Sequence, residues 1–291
     1  MLAELLQYLF SGITVGSTYA LVALGFSIIY NASGVINFAQ GEFVMLGGMS
    51  AAVLVTAAIP LPFAILLAMG VAGLAGLLVE KFAIEPAKNA EVVTLIIITI
   101  GASLAIRGLV QVFLGKGTHA LPPFSGDTPI VLFGATLLPQ SLWVIGITLV
   151  VVLALNWFFG RTLLGKAMLA TSHNKLAAQL VGVNTRMILL LSFVLAAILG
   201  AVGGIIVAPM TYTSYDAGIM LGLKGFVAAT LGGLGSFVGA VVGGLVLGII
   251  EALTAGYVSS AYKDAMPFVI ILLVLFFMPR GLFGAKVTER V

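Results

Sequence analysis

The chain has 291 residues, 61% of them hydrophobic and 8% charged, and a mean hydropathy of +1.24, whereas a soluble domain carries roughly 25% charged residues. That excludes a water-soluble fold, so the unit to count is the apolar helix of about 20 residues that crosses a bilayer. The net charge of +3 says nothing of nucleic acid, and the lack of cysteine excludes disulfides, thiolate nucleophiles and Cys-ligated metals.

Apolar stretches able or nearly able to span lie at 5–30, 43–58, 62–80, 92–114, 141–159, 188–209, 221–255 and 266–279. The first has Glu4 instead of a basic leader and runs past any small-residue cleavage site, which reads as a retained helix. The seventh is too long for one crossing. Gly232, Gly233, Gly235 and Ser236 interrupt it, so it divides into two shorter helices meeting at a break. The expected fold is all-α: a polytopic transmembrane helical bundle of about eight to nine membrane segments, broken or re-entrant helices included, in one domain over 1–291.

Orientation follows from the loops. The segment 160–187 carries Arg161, Lys166, Lys175 and Arg186 with no acid, and the tail carries Arg280, Lys286 and Arg290 against Glu289, so both read as cytoplasmic. That needs an even number of crossings between them, which the split of the seventh stretch supplies. Counting back puts 81–91 inside, although Lys81 and Lys88 there face Glu80, Glu85 and Glu91, and puts 115–139 and the N-terminus outside. The prolines 122, 123, 129 and 139, with Gly126 and Asp127, make 115–139 a turn region and not a helix.

Small residues recur four apart at Ala64, Ala68, Ala72 and Gly76, at Ala196, Gly200, Gly204 and Ala208, and at Gly235, Gly239 and Gly243, with Gly244 and Gly248 on a second stripe. Such stripes let helix backbones approach closely and argue for a tight bundle, not for a solute.

Polar residues concentrate in 31–42, NASGVINFAQGE, where Asn31, Asn37, Gln40 and Glu42 stand between apolar runs with Gly34 and Gly41. One reading is a discontinuous helix whose free backbone groups meet a zwitterionic solute. The other is a short cytoplasmic loop with Glu42 in the first turn of the next helix, where an acid suits the dipole. In 160–186, Thr171, Ser172 or Asn174 can cap a short helix running to Val181 and ended by Gly182. It reads either as a rigid knob that follows a soluble motor or as a basic anchor on anionic headgroups. Of the isolated membrane charges, Arg107 and Lys224 lie near segment ends and read as snorkelling, while Glu251 suits an inward-facing role.

No nucleotide-binding loop, nucleophile elbow or clustered catalytic set occurs, and His119 and His173 lie far apart, so neither catalysis nor a metal site is expected. An ion-coupled transporter acting alone would need coupling charges at mid-membrane, which are scarce here.

The stretches YALVALGFSIIYNASGVINFAQGEFVMLGG (19–48), 160–204 and 222–253 resemble the branched-chain amino acid ABC permease family, specifically its smaller, LivH-like subunit. The resemblance implies a bacterial inner-membrane importer working by alternating access. Its parts would be this chain, a second LivM-like permease, two cytoplasmic ATPases that bind the ATP and Mg, and a periplasmic or lipid-anchored binding protein; this chain itself would hold no cofactor. Asn37, Phe38, Ala39, Gln40, Gly41 and Glu42 match its early signature and are the implied pathway residues. Lys175, Leu176, Ala177, Ala178, Gln179, Leu180, Val181 and Gly182 match its ATPase-coupling loop. Departures are Lys166 for a common arginine, Ser172, His173, Asn174 and Lys175 for frequent acids, and Gln40 for a frequent histidine, which removes a titratable group. Urea or short amides fit the same amide-rich segment as well as aliphatic amino acids do.

Overall fold

The computed structural model describes residues 2–87 and 90–284; Lys88, Lys286, Glu289 and Arg290 of the charge count lie outside the described residues. In order, the helices are α1 (Leu2–Ser33), α2 (Gln40–Thr56), α3 (Leu61–Val79) with a π-helical turn Glu80–Ile84, α4 (Val92–Phe113), α5 (Pro139–Arg161), α6 (Leu163–His173), α7 (Lys175–Leu180), α8 (Thr185–Thr211), α9 (Ala217–Gly232), α10 (Phe237–Tyr257) and α11 (Met266–Phe277). Among the described residues, six helices are long and apolar enough to cross a membrane, and α2, α9 and α11 are shorter apolar helices. The expected helical bundle is what forms.

The spine is an antiparallel pair. Tyr8 of α1 meets Tyr257 of α10 at one end, ring centroids 5.2 Å apart, and Asn31 Nδ2 donates to the Gly235 carbonyl at the other, 2.8 Å away. Between them glycines face glycines: a Cβ added to Gly16 would fall 2.8 Å from the Gly244 carbonyl oxygen, and Gly248 abuts Gly12 and Gly16. Lipid tails are as apolar as leucine, so close van der Waals packing, and not exclusion of water, holds such a pair together. The two stripes of α10 serve different neighbours: Gly244 and Gly248 meet α1, while Gly239 and Gly243 meet Gly232 and Ala228 of α9. Gly76 of α3 packs on Phe193 and Ala197 of α8, and Gly204 of α8 on Val44 of α2. Phe26, Phe43 and Phe193 fill the centre.

The break in the seventh stretch lies where the glycines placed it, with Gly233 at φ 102° and Gly235 at φ 88°, a left-handed backbone that glycine adopts without penalty. The tail covers it: Leu282 N donates to the Leu231 carbonyl and Phe283 N to that of Gly232, each at 2.9 Å. Loops sort onto two sides. One holds the start of α1, residues 115–138, 212–216 and 258–265, joined by Gln7 Nε2 donating to the Thr136 carbonyl at 2.9 Å and by a bridge between His119 and Thr213. The other holds 160–184, the 233–236 break and 278–284, with Arg186 paired to Glu85.

The turn region after α4 contains a hairpin that the sequence reading lacked, β1 (Ile130–Leu132) antiparallel to β2 (Ala135–Leu137). Its turn residues Phe133 and Gly134 both have positive φ, 51° and 80°, which matches the right-handed strand twist. In 160–184, Asn174 caps α7 by accepting from Ala177 N at 2.9 Å, and Gly182 ends it at φ 89°. Thr171 and Ser172 are not caps. They lie in a second short helix, α6, and bond back to the carbonyls of Ala167 and Leu169, because Thr162 starts that helix by accepting from Gly165 N at 3.0 Å.

Candidate translocation site

Helix α1 ends where Gly34 turns left-handed at φ 72°. The chain then runs back into the bundle without regular structure over 35–37 and enters α2 at Gln40. Gln40 Nε2 donates at 2.9 Å to the carbonyl of Ala196, near the middle of α8. Helix α2 therefore starts inside the bundle and not at a loop facing water, although Glu42 does lie in its first turn as the short-loop reading had it; buried backbone at such a point finds its partners in protein. Asn37 Oδ1 accepts from Ala39 N at 3.1 Å. Phe38 N donates to Thr99 Oγ1 of α4 at 3.2 Å, and its ring lies 5.6 Å from that of Phe226 on α9. Gly41 has no room for a side chain, since the backbones of Gly218 and Gly222 press on it.

Glu42 is 2% exposed. Its Oε1 accepts from Ser103 Oγ at 2.8 Å and forms an ion pair with Arg107, which corrects the snorkelling reading of that arginine. A buried carboxylate without a cation would cost several kcal/mol, so the pairing wins over a reach to the interface. Thr99, Ser103 and Arg107 recur four apart on α4 and form one polar stripe toward the interruption before α2. That periodicity was available in the sequence.

The pathway candidates Asn37, Phe38, Gln40, Gly41 and Glu42, with buried Ala39 among them, thus come together in one layer, where they reach α4, α8 and α9. Asn37 Nδ2, Gln40 Oε1 and Glu42 Oε2 are buried with no hydrogen-bond partner. Two cavities lie beside this layer and are lined by other residues. One, of about 660 Å³, is an apolar groove between α2, α3 and α4.

The second, of about 320 Å³, lies between α1, α8, α9 and α10 toward the side of the bundle that carries the α1 N-terminus. Lys224 is 6% exposed at its wall, and its Nζ stands 2.7 Å from Glu251 Oε1 and 2.6 Å from Asp264 Oδ1. Tyr19 OH donates to Glu251 Oε2 at 2.8 Å. Lys224 therefore does not snorkel either, because the break folds α9 and α10 into a hairpin that sets it against Glu251. Asp264 and Tyr19 went unread in the sequence. Asp264, in the loop before α11, is held below the usual aspartate range, first by its hydrogen bond from Lys224, with the charges of Lys224 and Lys263 adding to it.

On the other side, α7 buries Ala178 and exposes Leu176 (67%) and Leu180 (80%), with Val181 (79%) exposed just past its end. Lys175 is exposed, and Gln179 Nε2 donates to Thr185 Oγ1 at 2.8 Å, which ties the short helix to α8.

A family model described as the permease component of the branched-chain amino acid transport system matches residues 8–275. The chain is 35% identical to the high-affinity branched-chain amino acid transport system permease protein LivH of Salmonella typhimurium, over 98% of this chain and 97% of that one. It is 33% identical to the corresponding permease protein BraD of Pseudomonas aeruginosa, over 98% of each. In fold it is similar to a chain of the solved PsaBC complex with Fab from Streptococcus pneumoniae, with a TM-score of 0.52, 14% identity and 96% of each chain covered.

Proposed function

The chain belongs to the branched-chain amino acid transport permease family and is a permease subunit of an ABC importer for branched-chain amino acids, and on that premise we propose how its geometry moves them. The observation that carries the mechanism is the start of α2 at mid-depth, where unwound backbone and partnerless amide atoms lie inside the bundle. Such a discontinuity offers hydrogen bonds to a neutral zwitterion without a fixed net charge. Asn37, Phe38, Gln40, Gly41 and Glu42 act as the pathway layer, exposed to the solute when α4 and α9 shift against α2.

The motor is separate. Two ATPases bind ATP and Mg on the side of 160–187, where exposed Leu176, Leu180 and Val181 on a short capped helix fit an apolar cleft of a partner and Lys175 fits its acidic rim. That side carries Arg161, Lys166, Lys175, Arg186 and Arg280 and is cytoplasmic by the positive-inside rule, which leaves the N-terminus outside. A second, LivM-like permease completes the channel, and a binding protein delivers the amino acid to the outer face of the bacterial inner membrane.

The test is uptake of radiolabelled leucine into proteoliposomes holding this chain, its companion permease, the ATPases and the binding protein, with ATP inside and each component omitted in turn. Uptake that vanishes without ATP or without this chain supports the reading. Leucine transport by this chain alone, down an ion gradient, refutes it; movement of urea but not leucine by the full assembly refutes the solute.

A further inference from the structure

Lys224 and Glu251 form an ion pair that a bundle of this kind does not need for stability. Taking both charges out of water costs about as much as their attraction returns, and well-packed apolar residues in their place are often neutral or stabilising. Ionisable groups at membrane depth mark function by default. Here they border a cavity, which gives the pair something to meet.

The cavity has a definite chemistry. Lys224, Glu251 and Lys263 line it and Asp264 closes on Lys224, so two cations face two anions. Ser214 is on the cavity wall, and its Oγ donates to Asp216 at 2.5 Å. Tyr19 and Thr18 supply hydroxyls: the first is committed to Glu251, whereas Thr18 is 1% exposed and its Oγ1 has no partner. The remaining wall includes Val15, Val207 and Leu221. A volume of about 320 Å³ is at the lower end of the roughly 300–1,000 Å³ of small-molecule sites.

We propose that this cavity is a binding site for the zwitterionic head of a free aliphatic amino acid, at the outer mouth of the pathway and separate from the layer of Asn37 and Gln40. The α-carboxylate meets Lys224 and Lys263, the α-ammonium meets Glu251, and the aliphatic tail lies on Val15, Val207 and Leu221. A ligand with one charge of each sign can enter between Lys224 and Glu251 and leave both paired. A lone cation or anion would leave one of them facing a like charge at low dielectric. The site rests on the importer reading for its solute and on its own geometry for its charge selectivity.

The chain has no cysteine, so S214C at the cavity mouth places a single thiol in it. Its labelling by a membrane-impermeant methanethiosulfonate is followed by mass spectrometry in proteoliposomes without binding protein. At leucine about ten times its Kd, about one site in eleven stays empty and labelling slows about tenfold. N-acetylleucine lacks the ammonium and leucinamide the carboxylate, and neither slows it. The protection is lost in S214C/E251Q, with assembly checked by co-purification of the companion subunits. Unchanged labelling up to the solubility limit of leucine overturns the site, as does equal protection by all three compounds or full protection in S214C/E251Q. ATP-driven uptake in a parallel assay separates the two readings: uptake without protection sinks the site alone, and protection without uptake sinks the importer alone.

Discussion

Replacing Arg107 by methionine keeps an apolar stem but removes the guanidinium and its charge, which strands Glu42 where it is 2% exposed. Removing one partner of a buried pair costs about 3–5 kcal/mol. The lower end applies here, because the Arg107 side chain retains 19% exposure and Ser103 still donates to the carboxylate. A loss of about 3 kcal/mol lowers the melting temperature of a 291-residue chain by roughly 5 °C. The double variant E42Q/R107M removes both charges and keeps the bond from Ser103, so most of that loss is recovered. Thermal unfolding of the purified permease reads all three proteins. R107M melting within about 1 °C of the parent, or the double variant melting below the single, refutes the pairing.

Leucine at position 16 drives a side chain into the Gly244 backbone of α10 and costs about 1–3 kcal/mol or more by overpacking, whereas G146L, on a face with nothing near it, leaves melting unchanged. Leu176→Asp and Leu180→Asp alter exposed positions, so the chain folds and melts normally, while leucine uptake by the full assembly falls about tenfold or more through lost docking. Asp264 is held below its ordinary range by Lys224, so its contribution is fully present above about pH 4 and is lost as pH falls through the lower folded value. Thermal melts of D264N and parent therefore differ at pH 7 and converge on acidification below pH 4; a gap that persists there refutes the pairing.

Much of this was legible because membrane helices announce themselves. Apolar length set the spans, and Gly232 to Ser236 marked the break, since Gly233 and Gly235 take a left-handed backbone that glycine adopts without penalty. The identity of 31–42 as a polar interruption was equally plain, but its depth was not: whether Gln40 meets water or the Ala196 carbonyl depends on where α8 lies, and spacing along one segment carries no such information. The charges misled for the same reason. Taken one at a time, Arg107 and Lys224 face only lipid, while their partners Glu42, Glu251 and Asp264 come from other parts of the chain. Helix α6 escaped because its apolar pattern is short and its cap, Thr162, sits against the end of α5. The hairpin after α4 rests on two positive-φ residues, one of them a phenylalanine, which no propensity announces.

Gly243 and Gly244 are adjacent, so their Cα atoms point about 100° apart around the axis of α10. One faces the backbone of Ala228 and the other that of Ala20. If α10 turned about its own axis, a residue with a side chain would enter one of these two seats. Rotation is therefore closed to it, and what remains is tilting or sliding, in which α1 and α9 must travel along. The three helices count as one body with few degrees of freedom, and an inward or outward swing of this protein has to be divided at some boundary other than theirs.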